Sequence, residues 1–381
     1  MNDEVSRQSA LNFMPGLALS RTFFQEVVEP AVRFAFPHLQ YAAGLFGPGS
    51  DVLGYDSERS MDHDWGPRCI LVIDAEDEQA VGASLRGKIS AALPSTFRGF
   101  PVLFHDSPGE PGVLVPADLL RDAPLRHRVE VTTFDGIGEK YGYAPGDEDD
   151  PAFWLTVTDQ RLLELTAGDV FRDDLGELTR LRSCLAFYPD AIWRYRMATM
   201  WMRISQIEPF VGRTGEVGDE IGSWVISARL IEDIMRLALL QARQYAPYSK
   251  WLGSAFSRLA ISGVLLPHLI AAREATSWRG REAGINTATA ILVNAHNALG
   301  ITEEIDATPR PFHSRPFMVI EAERVARSLS ETLVNTPLHL LTMGVGGIDQ
   351  FIDSTDALNS RWLRQSLRGA ITLQIEETIQ G

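Results

Sequence analysis

The stretch GLFGPGSDVLGYDSERSMDHDW constrains this chain most, because it sets a Gly-Ser turn (Gly49, Ser50) ahead of two aspartates, Asp62 and Asp64, one residue apart. If the segment Asp62 to Asp64 is extended, the period of two puts both carboxylates on one face of a strand and turns His63 to the other. Two carboxylates on one face can share a divalent cation. The glycines ahead of them allow close approach of backbone to a ligand, and the exposed N–H groups with the Ser50 hydroxyl are donors suited to phosphate. Metal beside phosphate predicts nucleotidyl transfer. A dinucleotide-binding reading of GLFGPGS is weaker, since its glycines do not follow the GxGxxG spacing.

A chain of 381 residues with 45% hydrophobic content can form two cores of ordinary size. The net charge of −15 disfavours a large nucleic-acid footprint and favours a small-molecule or protein partner. Cys69 and Cys184 stand far apart in apolar surroundings, as reduced thiols do rather than a disulfide frame. No signal peptide and no apolar run of about 18 residues is seen, so a cytoplasmic protein with no membrane partner is expected. Only three lysines occur, Lys88, Lys140 and Lys250, against a large excess of arginine.

Apolar spacing from Arg21 to Phe36 predicts a helix interrupted at Pro30. Strand-like runs follow at Tyr41 to Phe46, Cys69 to Ile73, Pro101 to Phe104 and Arg128 to Phe134, with a helical stretch near Glu78 to Leu93. The clearest break is GYAPGDEDDP, Gly142 to Pro151, which places a domain boundary at 150/151. Beyond it the pattern is helical. Trp193, Met197, Met200, Trp201 and Ile204 form one stripe, and Ile221, Trp224, Val225, Ala228, Ile231, Met235 and Ala238 another, both expected to be core. The segment Thr308 to Pro316 reads as a loop before the last helices. The eight histidines show no metal-ligand spacing.

Gly49, Ser50, Asp62 and Asp64 resemble, in order and spacing, the Gly-Ser and Asp-x-Asp elements of polymerase-β-type nucleotidyltransferases. In the strand RHRVEVTTF, Glu130 alternates away from Val129 and Val131, with Asp106 and Asp135 as fallback acids. The run VEVTTF is similar to a strand of aminoglycoside adenylyltransferases that carries the base for the acceptor hydroxyl, and that resemblance makes Glu130 the candidate base. In YAPYSKW, Lys250 loosely resembles a phosphate-binding lysine of their helical domain; the alternative is a surface lysine stacked on Trp251 or Tyr248. Arg213, in VGRTGEVGD, is a further candidate cation. Many such enzymes place an arginine soon after the Gly-Ser, whereas Asp51, Val52 and Leu53 follow here, so Arg59 is the candidate to compensate.

The blocks GPGSDVLGYDSERSMDHDWGPR, LPSTFRGFPVLF, WLTVTDQRLLELTAGDVFRDDLGELTRLRSCLAFYPD and RQYAPYSKW together resemble the DUF4037 family of nucleotidyltransferase-like proteins, from about Gly16 to Phe351. The resemblance implies an α+β fold: a polymerase-β-like domain over 1–150, with a mixed sheet and flanking helices, then a helical bundle domain over 151–381. It further implies a Mg²⁺-dependent transfer of a nucleotidyl group, AMP from ATP in the first place, to a hydroxyl of an unidentified small molecule or protein. In that reading Asp62 and Asp64 hold the metal, Glu130 is the base, and Gly49, Ser50, Arg59, Arg213 and Lys250 bind the triphosphate in a cleft between the domains. The alternative is a non-catalytic nucleotide-binding or regulatory module on the same fold.

Overall fold

The computed structural model describes residues 12–62, 65–109, 113–117, 124–341 and 346–380. The chain divides into two compact units, Met1–Pro145 with Arg161–Ala186, and Gly146–Gln160 with Phe187–Gly381. The first crossing falls inside the Gly/Pro/acid-rich break. The return of residues 161–186 to the first unit is announced by no change in composition.

The first unit is built on four strands, β1 (Ala42–Leu45), β2 (Cys69–Val72), β3 (Val129–Thr132) and β4 (Asp169–Asp173), in the order β3-β2-β1-β4. β1 is antiparallel to both neighbours, while β2 and β3 run parallel, so the sheet is mixed and flanked by helices. A parallel pair needs a long crossover. The helix Ala75–Ala92 and two small antiparallel sheets lie within it. One of those is a hairpin, Thr96–Phe97 with Phe100–Pro101, whose two-residue turn places Arg98 and Gly99 at positive φ (50° and 86°), as a type I′ turn requires.

β1 and β2 are buried along their whole length, whereas alternation sets what β3 buries. Cys69, Leu71, Val129 and Val131 belong to one core cluster with Phe23, Phe24, Leu85 and Ile89, whereas Glu130 stands on the other face of its strand and is exposed. The helical region ahead of the sheet runs as Gly16–Phe23, a π-helical turn Phe24–Val28, and Glu29–Ala35. Pro30 has no N–H to return to the carbonyl four residues back, and the ladder widens just ahead of it, with the Glu29 N–H reaching Phe24 O. β1 and β4 approach closely because glycines line the contact. A Cβ on Gly44 would lie 2.6 Å from the Asp169 carbonyl oxygen, and one on Gly168, at φ +70°, would overlap the Leu45 carbonyl.

In the second unit the helix Asp190–Ile207 buries Trp193, Met197, Met200, Trp201 and Ile204, as its stripe predicted. Buried charge fastens it to its surroundings. Arg196 reaches Asp159 (3.0 Å) and Asp349 (3.5 Å) and lies 4.5 Å over the Tyr188 ring. The Tyr188 hydroxyl donates to Asp159, which also accepts the Ala246 N–H at 3.1 Å. Burial and the neighbouring Asp159 charge push Asp349 up to about 7 although Arg196 opposes the shift.

The second stripe departs from expectation. Helix Glu220–Gln241 buries Ser223, Ser227, Leu230, Asp233 and Ile234, while Ile221, Trp224 and Val225 are exposed. The Ser223 hydroxyl donates to the Val211 carbonyl and accepts from Arg281, so hydrogen bonding rather than apolar area selects the inward face of the first turns. The expected loop at 308–316 contains Arg310–Pro311, paired with Met318–Val319. Among the described residues no helix is long and apolar enough to cross a membrane.

Two outcomes follow from these contacts. Gly168→Ala should lower the stability of the first unit by about 1–3 kcal/mol, because the new methyl meets a backbone carbonyl at a positive φ. A urea midpoint equal to that of the wild type would contradict the close approach of β1 and β4. His296 is buried, its Nε2 2.9 Å from Thr302 Oγ1, and burial holds it down to about 4. Its folded value lies below the unfolded one, so its contribution is present above about pH 6.5 and is lost as pH falls toward 4. Thermal melts from pH 7 to pH 4 should therefore show a shallower acid loss in His296→Gln than in the wild type.

Candidate active site

Antiparallel pairing brings the C-terminal end of β1 beside the N-terminal end of β2 and the first residues of β4. Gly44 pairs with Ile70 and with Val170, and Ile70 in turn pairs with Glu130. The chain leaves β1 at Leu45 and turns through Gly47 and Gly49, at φ +98° and +140°, conformations that favour glycine. The Gly47 N–H donates to the Glu164 carbonyl at 2.6 Å, while Pro48 and Gly49 are exposed and Ser50 is half-buried.

Beneath the turn lies Asp51, 4% exposed, gripped by Arg68 through two bonds, Nε to Oδ2 at 2.8 Å and Nη2 to Oδ1 at 2.7 Å. The same Nη2 donates to the Pro48 carbonyl at 2.8 Å, and the Arg68 N–H donates to the Ser20 hydroxyl at 3.2 Å. A Cβ on Gly49 would lie 2.5 Å from Arg68 Nη2. The glycine lets the guanidinium close on the turn from below. Sequence reading looked for an arginine soon after Ser50 and passed over Arg68, whose signal was its place directly after the Trp65-Gly66-Pro67 interruption.

Tyr141 links this turn to β3. Its hydroxyl sits 2.9 Å from where a Cβ of Gly47 would be. Burial pushes the phenol well up, and the charges acting on it are those of Glu164, Glu130, Arg161 and Arg68. Tyr141 ends a helix, Phe134–Tyr141, that begins one residue after β3, capped by the Thr133 hydroxyl at one end and left-handed Gly142 at the other. Neighbouring Lys140 places Nζ 3.3 and 3.2 Å from the two carboxylate oxygens of Glu130 and 6.0 Å from the Tyr141 ring centre. Its carbonyl accepts from Arg161 at 2.8 Å. Lys140 and Tyr141, like Arg68, are members of the group that sequence reading did not select.

The other expected residues are placed as follows. Asp62 ends a 3-10 turn, Glu58–Asp62, and the ladder of β2 starts only at Cys69, so the extended strand expected at Asp62 is a correction. The turn is held by Ser60, whose hydroxyl accepts from the Ser57 N–H at 3.1 Å and from the Ser50 hydroxyl at 3.5 Å. The side chain of Asp62 and the whole of Asp64 lie outside the described residues. Arg59 is exposed on the same turn. Arg213 and Lys250 belong to the second unit: Arg213 pairs with Glu216 at 3.1 Å, and Lys250 is exposed with Nζ 5.0 Å over the Trp251 ring, the stacked alternative. The fallback acids are exposed, Asp106 in a pair with Arg126 at 3.1 Å and Asp135 in the first turn of its helix.

Residues 154–252 match the DUF4037 family, described as a domain of unknown function. This bears out over that stretch the resemblance drawn from the sequence. The matched segment holds Asp159, Tyr188 and Arg196 of the buried network, together with β4. No curated protein matches the chain. A crystal structure of a nucleotidyltransferase-like protein from Exiguobacterium sibiricum 255-15 is similar over 84% of this chain and 91% of that one, with 11% identity and a TM-score of 0.31. A likeness of that degree carries no residue over to this chain.

Removing Arg68 strips a buried carboxylate of its partner, which typically costs about 3–5 kcal/mol. Arg68→Met should therefore destabilise the first unit strongly, and adding Asp51→Asn should recover part of the loss. Equal denaturation midpoints for Arg68→Met and the wild type would show that the pair does not hold the turn.

Proposed function

We propose that the chain is a Mg²⁺-dependent nucleotidyltransferase that moves a nucleoside monophosphate, AMP from ATP in the first instance, onto a hydroxyl of a small molecule or protein. The observation that carries this reading is the convergence on Tyr141 of a pinned glycine turn, an exposed carboxylate on β3 and two kinds of cation. Gly49 offers open backbone at the surface, and the Ser50 hydroxyl stands beside it. A turn of that kind suits phosphate oxygens.

For the metal, Asp62 and Asp64 supply the hard oxygen donors that Mg²⁺ prefers, and Mg²⁺ is commonly held by one or two carboxylates together with substrate phosphates. That mode needs no protein cage of three ligands, and among the described residues no group of three His, Cys, Asp or Glu side chains gathers. When bound, the ion would neutralise the triphosphate. In the transfer, the acceptor oxygen attacks the α-phosphorus, the bond to the bridging oxygen breaks, and pyrophosphate leaves. The hydroxyl proton passes to Glu130, whose place on the strand face opposite the core leaves it open to an acceptor. Gly49 and Ser50 orient the phosphates, with Arg59 at hand on the adjoining turn.

One observation favours a second reading. Glu130 is exposed and both its oxygens face Lys140, as in a nucleotide-binding module without turnover. Calorimetric titration of each nucleoside triphosphate, with and without Mg²⁺, into wild type and Asp62→Asn/Asp64→Asn tests the site. Mg²⁺-dependent binding should disappear in the double variant, whereas Glu130→Gln should bind and fail to transfer. Equal Mg·ATP affinity in wild type and double variant would sink the metal assignment.

A further inference from the structure

Lys140 is the cation of this group with an exchangeable partner. Arg68 is spent on Asp51 and on the Pro48 carbonyl, with its side chain 12% exposed. The Lys140–Glu130 pair is 46% exposed on both sides, and pairs so open to solvent are worth about 0–1 kcal/mol. It can be broken at little cost. The backbone beneath Lys140 is fixed, because its carbonyl is held by Arg161 and the helix ends at Gly142 one residue after Tyr141. Motion is therefore left to the four-carbon side chain. Tyr141, the next residue, has its hydroxyl against Gly47 of the turn.

Resting on the nucleotidyltransferase reading, we infer that Lys140 is a positioning residue that trades partners, holding Glu130 before nucleotide binds and passing to the phosphates of a nucleoside triphosphate at the Gly47–Ser50 turn. A polyphosphate concentrates more negative charge than one carboxylate, and an ammonium meets it as a mobile point charge. The exchange has a chemical consequence. While Lys140 spans both oxygens of Glu130, the carboxylate is occupied; once the ammonium leaves, it can accept the proton of the acceptor hydroxyl. The base is thereby exposed only after the triphosphate has arrived, which orders the two substrates and protects the nucleotide from water.

The test is a double-mutant cycle read by calorimetry with Mg·ATP on the full chain: wild type, Lys140→Met, Glu130→Gln and the double variant. Lys140→Met should weaken ATP binding by about ten-fold, the scale of one charge-assisted contact. Glu130→Gln should tighten binding by several-fold when Lys140 is present, because the lysine is already released, and by less in the Lys140→Met background. The same change in both backgrounds would reflect simple repulsion by Glu130 and would overturn the exchange. Lys140→Arg should restore part of the affinity.

A second readout does not depend on the variants folding equally well. Reductive ¹³C-methylation labels the three lysines, and the Lys140 methyl resonance, assigned with Lys140→Arg, should shift on adding Mg·ATP while Lys88 stays in place. ATP binding with an unmoved Lys140 resonance would refute the inference and leave the nucleotide site standing. No triphosphate binding by the wild type would instead remove the nucleotidyltransferase reading itself.

Discussion

The ion pair of Asp51 with Arg68 is the contact on which the first unit's candidate site depends. Taking both charges out of water is costly, and the cost is met only when geometry is good and the remaining polar atoms are satisfied. Here the guanidinium uses its planar fork on the carboxylate and spends another bond on the Pro48 carbonyl, which a lysine could not reproduce. One interaction thereby joins the residue after the Gly-Ser turn to the residue before β2. The turn is fixed in shape while its outer surface stays open.

The sheet makes that arrangement possible through small residues. Ala42, Ala43 and Gly44 form most of the central strand β1, and Gly44 and Gly168 remove the side chains that would hold β4 away. The second unit solves a comparable problem with charge. Arg196 lies among Asp159, Asp349 and Tyr188 inside a helix packing otherwise made of Trp, Met and Leu, and Gly347 clears the space its guanidinium needs, since a Cβ there would lie 2.7 Å from Arg196 Cζ. In both units a glycine makes room for an arginine that organises two distant pieces of chain.

Periodicity was informative where apolar area alone chose the buried face. The Trp193 to Ile204 stripe is such a case, and so is the alternating strand β3. It failed for Ile221, Trp224 and Val225, where Ser223 turns inward to donate to the Val211 carbonyl and accept from Arg281, and Ser227 turns inward to donate to the Ser223 carbonyl. A hydrophobicity pattern has no access to a carbonyl or a guanidinium on another helix. Asp62 illustrates a related limit, because alternation presupposes a strand and Ser60 closes the local chain into a 3-10 turn instead.

The sequence by itself determined the Gly-Ser turn and the alternation that sends Glu130 away from the core, since each rests on local stereochemistry or apolar period. It also carried, over residues 154–252, the similarity to the DUF4037 family. Only the tertiary structure decided that residues 161–186 return to give β4, that Arg68 rather than Arg59 grips the turn, that Tyr141 lies against Gly47, and that Lys140 pairs with Glu130. Those facts depend on which chain ends an antiparallel register brings together. Residues 21 or more positions apart, as Gly47 and Arg68 are, have no local rule that relates them.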